Sequence, residues 1–303
     1  MQGPNSVHLM ERVVGESLRD LKFMRFRTVT IAGHEVIALR QGMTGELGFE
    51  LQVAREHGAE VYNAILEVGQ EYDIKQMGGR VGMVNHLEAS YPTHTLDYMP
   101  AMFSGPEVAY LEELLAADDL FLQYWGRIAG SYESDDIRDW YRSPVELGWG
   151  RNIKFDHEFI GREALVAEVE APRRTLATLV WNSEDVIDLF GSFFRSGGTL
   201  PDFMEMPQEP RGFMYTDKVV KDGEVVGITS SRGYSAYFRE MISLCVLDVA
   251  HNVPGTEVTV VWGNPGTAQL EIRATVQATP YKENRSRIDL STLPVDPRLA
   301  ASR

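Results

Sequence analysis

Between Arg40 and Glu50 the chain reads Arg40-Gln41-Gly42-Met43-Thr44-Gly45-Glu46-Leu47-Gly48-Phe49-Glu50, three glycines each separated by two residues and then an apolar residue and a carboxylate. Gly42, Gly45 and Gly48 permit backbone angles closed to other residues. Phe49, Leu51 and Val53 then alternate with Glu50 and Gln52, as a half-buried strand does. The pattern describes a tight turn that delivers one acid, Glu50, to a fixed place opposite an apolar face. A glycine-rich hairpin carrying a solvated glutamate would have the same sequence. A second group lies at Trp140-Tyr141-Arg142-Ser143-Pro144-Val145-Glu146-Leu147-Gly148-Trp149. Tyr141 offers a phenolic donor, Glu146 a second acid, and Trp140 and Trp149 flat apolar surfaces. Aromatic clusters are also ordinary core packing, Glu146 could simply cap local backbone, and Arg142 could lie at the surface.

The elements that must carry these residues follow from periodicity. Gln2-Gly3-Pro4-Asn5-Ser6 is a turn, and Val7, Leu9, Met10, Val13 and Val14 give a short amphipathic helix after it. Ile37–Leu39 and Phe49–Val53 are expected to pair as strands, followed by a helix from about Glu56 to Glu71 with Ala59, Tyr62, Ile65, Leu66 and Gly69 on or near one face. This is an α+β arrangement. An amphipathic helix is expected around Val108, Leu111, Leu114 and Leu115, before an aromatic-rich stretch with Phe121, Tyr124, Trp125 and Tyr132. Beyond Pro172 the pattern changes to short strands. Val219-Val220 and Val225-Val226 flank an Asp222-Gly223 turn, and Glu257–Trp262 and Leu270–Val276 alternate.

Composition narrows the function classes. The chain has 303 residues, 44% hydrophobic, and a formal charge of −15 with no compensating Lys/Arg cluster. That balance disfavours nucleic acid and acidic membrane surfaces as partners. The single cysteine, Cys245, excludes an internal disulfide framework and lies in an apolar run, where a buried small side chain is expected. No apolar stretch reaches spanning length and no signal-peptide pattern opens the sequence, so a cytoplasmic location is expected. The histidines are scattered without metal-ligand spacing, and neither a nucleophile elbow nor a phosphate loop is present, so no metal is expected.

The Arg40–Glu50 segment resembles the signature of the folate-binding aminomethyltransferase family, best known from the T-protein of glycine cleavage, departing from it at Met43, where the family has Tyr. Leu87-Glu88-Ala89 is similar to a second family block, Lys154 to Leu165 to a third through Phe159-Ile160-Gly161-Arg162-Glu163-Ala164-Leu165, and Val226–Ser231 with Tyr234-Ser235 to elements of the C-terminal barrel. The resemblance implies a folate-binding domain over 1–171 with an insertion at about 100–139, a C-terminal β-barrel over 172–287, and a flexible tail over 288–303. It also implies that upstream residues of the folate domain are missing, which leaves room for a separate N-terminal subunit.

The same resemblance implies tetrahydrofolate as cofactor, with Glu50 holding the pterin. A pterin presents a ring N–H and an adjacent amino group, and one carboxylate accepts from both. Met43, Arg80 and Trp149 are further cofactor-binding candidates. Gly82 stands where the family has a folate-binding Arg; Arg80 is two residues away, and a two-residue shift changes the direction of a side chain. The insertion and the Tyr141–Trp149 segment look like the branch that demethylates vanillate and syringate. Methyl transfer from an aryl ether needs a donor for the departing phenolate, which makes Tyr141 and Glu146 the catalytic candidates and a small methyl donor the expected partner. Two other readings are an aminomethyltransferase, against which the insertion and Gly82 count, and a folate-binding subunit without catalysis. A relative serving iron–sulfur proteins would carry a Cys in the Arg40–Glu50 segment, which has none.

Overall fold

A computed structural model describes residues 1–115, 128–208 and 214–296. Phe121, Tyr124 and Trp125 lie outside them. By contact the chain divides into two units, the first made of Met1–Asn85 with the segment from Lys282 onward, the second of His86–Tyr281. This division is one of packing. The boundary expected at 171–172 is one of resemblance, and residues 86–171 pack in the same unit as the barrel.

In the first unit, α1 (Ser6–Val14) buries Val7, Leu9 and Met10 and ends at Gly15, whose φ of 75° suits the left-handed cap only glycine takes without strain. Strands β1 (Phe26–Ile31), β2 (His34–Leu39) and β3 (Glu50–Gln52) form an antiparallel sheet in the order β1-β2-β3. The two strands expected to pair do so, with Leu39 opposite Glu50 and Ile37 opposite Gln52. Helix α2 (Gly58–Gly69), framed by short 3-10 turns, lays Val61 and Ile65 on the core. That core also takes in Val29, Ile31, Val36, Ala38, Phe49 and, from the far end of the sequence, Leu290. Residues 288–296 are therefore docked rather than loose: Leu290 is fully buried, and Arg19 Nη1 donates to the Leu293 carbonyl at 2.7 Å. The contacts that fix them come from residues over 240 positions away, which no local pattern announces.

Helix α3 (Gly79–Ala89) passes from the first unit into the second. In the second unit α4 (Val108–Leu115), the short strand β4 (Ile128–Ala129) and α5 (Arg162–Glu170) precede the barrel. The barrel is closed and antiparallel in the order β10-β11-β5-β9-β8-β7, with β5 Arg174–Trp181, β7 Asp217–Lys221, β8 Glu224–Ser235, β9 Glu240–Asp248, β10 Glu257–Trp262 and β11 Leu270–Gln277; β6 (Met214–Tyr215) pairs with β4. The expected Asp222-Gly223 turn joins β7 to β8, with φ of 51° and 86°, both left-handed as a two-residue hairpin demands. Alternate residues fill the interior: Ala177, Leu179 and Trp181, then Cys245 and Leu247, then Val258, Val260 and Trp262, then Ile272, Ala274 and Val276. Helix α6 (Ser183–Ser192), capped by the Asn182 side chain, adds Val186 and Leu189. Cys245 is wholly buried and its thiol pKa is driven up by that burial, so it acts as a packing residue.

Candidate functional site

Glu50 opens β3 half-buried, and Gln41 Nε2 donates to its Oε1 at 2.8 Å. Among the described residues its Oε2 has no hydrogen-bond partner. The turn before it is built around one side chain. Gln2 bridges to Gly48 in antiparallel fashion, and its Oε1 accepts from the backbone N–H of Met43 at 3.0 Å and of Thr44 at 2.9 Å. A Cβ at Gly48 would meet Gln2 Cγ and the Gln41 carbonyl at 2.7 Å, and one at Gly42 would meet the Glu46 carbonyl at 2.8 Å. Those two glycines are thus required by close approach, while Gly45 is required by its φ of 71°. Phe49, fully buried beneath, anchors the start of the strand. The amine of Met1 donates to the Phe49 carbonyl at 2.9 Å; burial lowers its pKa and the charge of Glu50 opposes this.

Arg40 and Glu46, the other charged members of the segment, have different tasks. Arg40 is 3% exposed and donates to the carbonyls of Leu21 (2.8 Å), Ser286 (3.4 Å) and Ile288. Burial lowers its pKa, with Asp289 opposing. It is a clamp on backbone carbonyls. Glu46 pairs with Lys282 at 3.0 Å through Oε1, and its Oε2 is buried without a hydrogen-bond partner among the described residues. Met43 stands exposed at the tip of the turn. Arg80 is exposed in the first turn of α3. At Gly82 a Cβ would meet nothing within 4 Å, so the absence of the family's arginine there is not imposed by crowding.

The remaining candidates belong to the second unit. Trp140 is a core residue: its Nε1–H donates to Thr216 Oγ1 at 3.0 Å, and it packs with Met99, Met214, Tyr132 and Tyr141. Tyr141 donates to Ser104 Oγ at 2.9 Å. Glu146 accepts from the Ser143 N–H at 3.0 Å, while its own N–H donates to Ser143 Oγ at 3.1 Å. This reciprocal pair is a capping box on the turn that follows. Its other oxygen pairs with Arg174 Nη2 at 2.5 Å and Nε at 2.8 Å. Both oxygens of Glu146 are therefore engaged in holding the Ser143–Gly148 turn. Arg142 is turned inward onto the carbonyls of Asp139 (2.6 Å) and Tyr141 (2.7 Å); burial and then Arg174 lower its pKa.

Trp149 is half-buried with the ring of Tyr98 edge-on at 6.2 Å. Tyr98 was not singled out by sequence, where it stands in an aperiodic segment between Asp97 and Met99. Burial, and then the charge of Asp97, raise its pKa and keep the phenol protonated. Asp97, 5% exposed, is the hub beside it: Oδ1 accepts from Ser230 Oγ at 2.5 Å and the Ser231 N–H at 3.1 Å, and Oδ2 from the Thr93 N–H at 2.7 Å. Ser235 Oγ likewise donates to Glu88 Oε1 at 2.6 Å. The Val226–Ser231 and Tyr234-Ser235 elements thus fasten residues 88–98 to β8. His86 contacts Thr93 Oγ1 at 3.1 Å and has its pKa lowered by burial, with Asp97 opposing.

Comparison with known families decides the kinship. The GCVT N-terminal domain model matches residues 1–103, and the glycine cleavage T-protein C-terminal barrel domain model matches residues 204–282. The chain belongs to the glycine cleavage T-protein family. Within it the chain is 36% identical to a sesamin methylene transferase of Sinomonas sp. (strain No.22) over 97% of its own length and 67% of that protein. It is 32% identical to a syringate O-demethylase of Sphingobium sp. (strain NBRC 103272 / SYK-6) over 93% of its length and 62% of that protein. The fold matches glycine cleavage system aminomethyltransferase T from Bartonella henselae with a TM-score of 0.55 at 17% identity, covering 91% of this chain and 56% of that one. This T-protein family chain therefore spans roughly half to two thirds of the length of these relatives. Among the described residues no helix is long and apolar enough to cross a membrane.

Proposed function

We propose that this chain is a tetrahydrofolate-dependent one-carbon transferase that removes a methyl or methylene group from the ether oxygen of a small aromatic donor. The observation that carries the reading is Glu50, a half-buried carboxylate whose outer oxygen has no hydrogen-bond partner among the described residues, fixed by a glycine turn wrapped on Gln2. The donor set fits a pterin, whose two neighbouring N–H groups need one carboxylate. The choice of an aromatic ether as donor draws on the two relatives named above for sesamin and syringate.

Tetrahydrofolate, when bound, supplies the nitrogen nucleophile. Glu50 holds the pterin edge, and Gln41 keeps its carboxylate from rotating. Met43 and Arg80 remain cofactor-side proposals, Met43 as an apolar contact at the turn and Arg80 as a charge for the anionic tail. Trp149 stays a cofactor-binding candidate, and within the second unit it and the protonated phenol of Tyr98 beside it offer an aromatic face and a hydrogen-bond donor. Tyr141 supports residues 101–104 through Ser104, and Glu146 positions Trp149 by holding the turn before it. A cytoplasmic location belongs to the same proposal.

Purified chain, tetrahydrofolate and, in turn, syringate or sesamin, with chromatographic detection of 5-methyl- and 5,10-methylenetetrahydrofolate, test the reading. Formation of either product sustains it. Glycine-cleavage activity with the lipoylated carrier, and none with the ethers, would replace the donor. Folate binding without turnover of any donor would place catalysis outside this chain.

A further inference from the structure

In the second unit a cavity of about 590 Å³ opens beside the barrel, lined by Phe190, Phe194, Tyr234, Met206, Met241 and Arg239 among others. That volume is in the range of small-molecule sites, roughly 300–1,000 Å³. Its walls are rings and thioethers, surfaces that adapt to a flat apolar ligand. The mouth leaves carbon in water: Phe194 is 91% exposed and Ile187, also on its wall, 59%. Single exposed apolar residues mean little, but here they converge on one cavity.

Arg239 supplies a charge at this mouth. Among the described residues its guanidinium has no ion pair or hydrogen bond, in a chain with 44 acidic against 29 basic residues. Neighbouring acids are engaged elsewhere: Glu240 accepts from the Tyr281 hydroxyl at 2.6 Å, and Asp188 on α6 pairs with Arg195 at 3.2 Å. Arg239 is also held at a φ of 60°, a conformation unfavourable for a residue with a side chain, by its N–H donating to the Ser235 carbonyl at 2.7 Å.

We propose that this cavity binds an aromatic monocarboxylate, its ring between the phenylalanines, Tyr234 and the methionines and its carboxylate on Arg239. The site is built wholly from the second unit and uses none of the residues assigned to folate or to the donor. Calorimetric titration with 2-naphthoate and its neutral counterpart 2-naphthamide tests it. The acid binds more tightly than the amide, and Arg239→Gln weakens the acid alone, by about fivefold for an exposed charge pair. Phe194→Ser, at an exposed position, weakens both. In protein carrying methyl-labelled methionine, naphthoate shifts the Met206 and Met241 signals, assigned with Met206→Leu and Met241→Leu, and does so equally in Glu50→Ala. Equal binding of acid and amide, indifference to Arg239→Gln, or methionine signals that stay in place would each overturn the proposal, whatever the outcome of the folate assay.

Discussion

Replacing Glu50 by alanine separates ligand binding from folding. Among the described residues the Glu50 carboxylate has one side-chain partner, the Gln41 amide at 2.8 Å, and it is only half-buried. Its removal should lower unfolding free energy by about 1 kcal/mol, the net worth of one hydrogen bond. The effect on tetrahydrofolate should be much larger. Two hydrogen bonds to a charged acceptor, at about 1.5 kcal/mol each, give about 3 kcal/mol, which is over a hundredfold in Kd. Glu50→Gln should fall between, since its carboxamide keeps one acceptor and sets an N–H against a donor. The measurements are tetrahydrofolate titration by calorimetry and urea unfolding of the same preparations. A Kd that Glu50→Ala leaves within twofold of the parent would refute the pterin assignment, and a collapse of stability would show that Glu50 is a structural residue.

Further perturbations test the scaffold. Gly48→Ala places a methyl 2.7 Å from the Gln41 carbonyl and should cost about 2 kcal/mol by urea unfolding, weakening folate in parallel; an unchanged midpoint would contradict the close approach. Asp97→Asn removes the charge that Ser230, Ser231 and Thr93 donate to, and should cost about 2–3 kcal/mol by the same measurement. Asp217 has its pKa raised to about 6 by burial, with Arg232 opposing. Because the folded-state value lies above the unfolded one, protonation favours folding, and stability should rise as pH falls from 7 through 6 toward 4. The rise should be about 2–3 kcal/mol and should vanish in Asp217→Asn, followed by urea midpoints across that range.

Glu50 was legible in sequence because three glycines and a strand alternation are local signals, and the structure places it at the start of β3, paired with β2 as expected, while the register with Leu39 is the structure's own. The barrel hairpins were legible for the same reason. Glu146 was ambiguous in sequence, an acid among aromatics that suited either chemistry or a local cap, and the structure engages both its oxygens in holding the turn. Asp97 and Tyr98 carried no local signal, since Asp97 acquires its meaning from Ser230 and Ser231, over 130 positions downstream. Gln2 was visible as part of a turn, but its acceptance of the Met43 and Thr44 amides depends on a bridge to Gly48 that no spacing encodes.

The clamp formed by Arg40 carries a consequence for synthesis. The carbonyls it grips, those of Ser286 and Ile288, leave the ribosome some 240 residues after the arginine itself. Until then the guanidinium has only the Leu21 carbonyl of the three it grips, and the core lacks Leu290. Residues 1–85 must therefore wait for the segment that begins at Lys282 before their packing is complete.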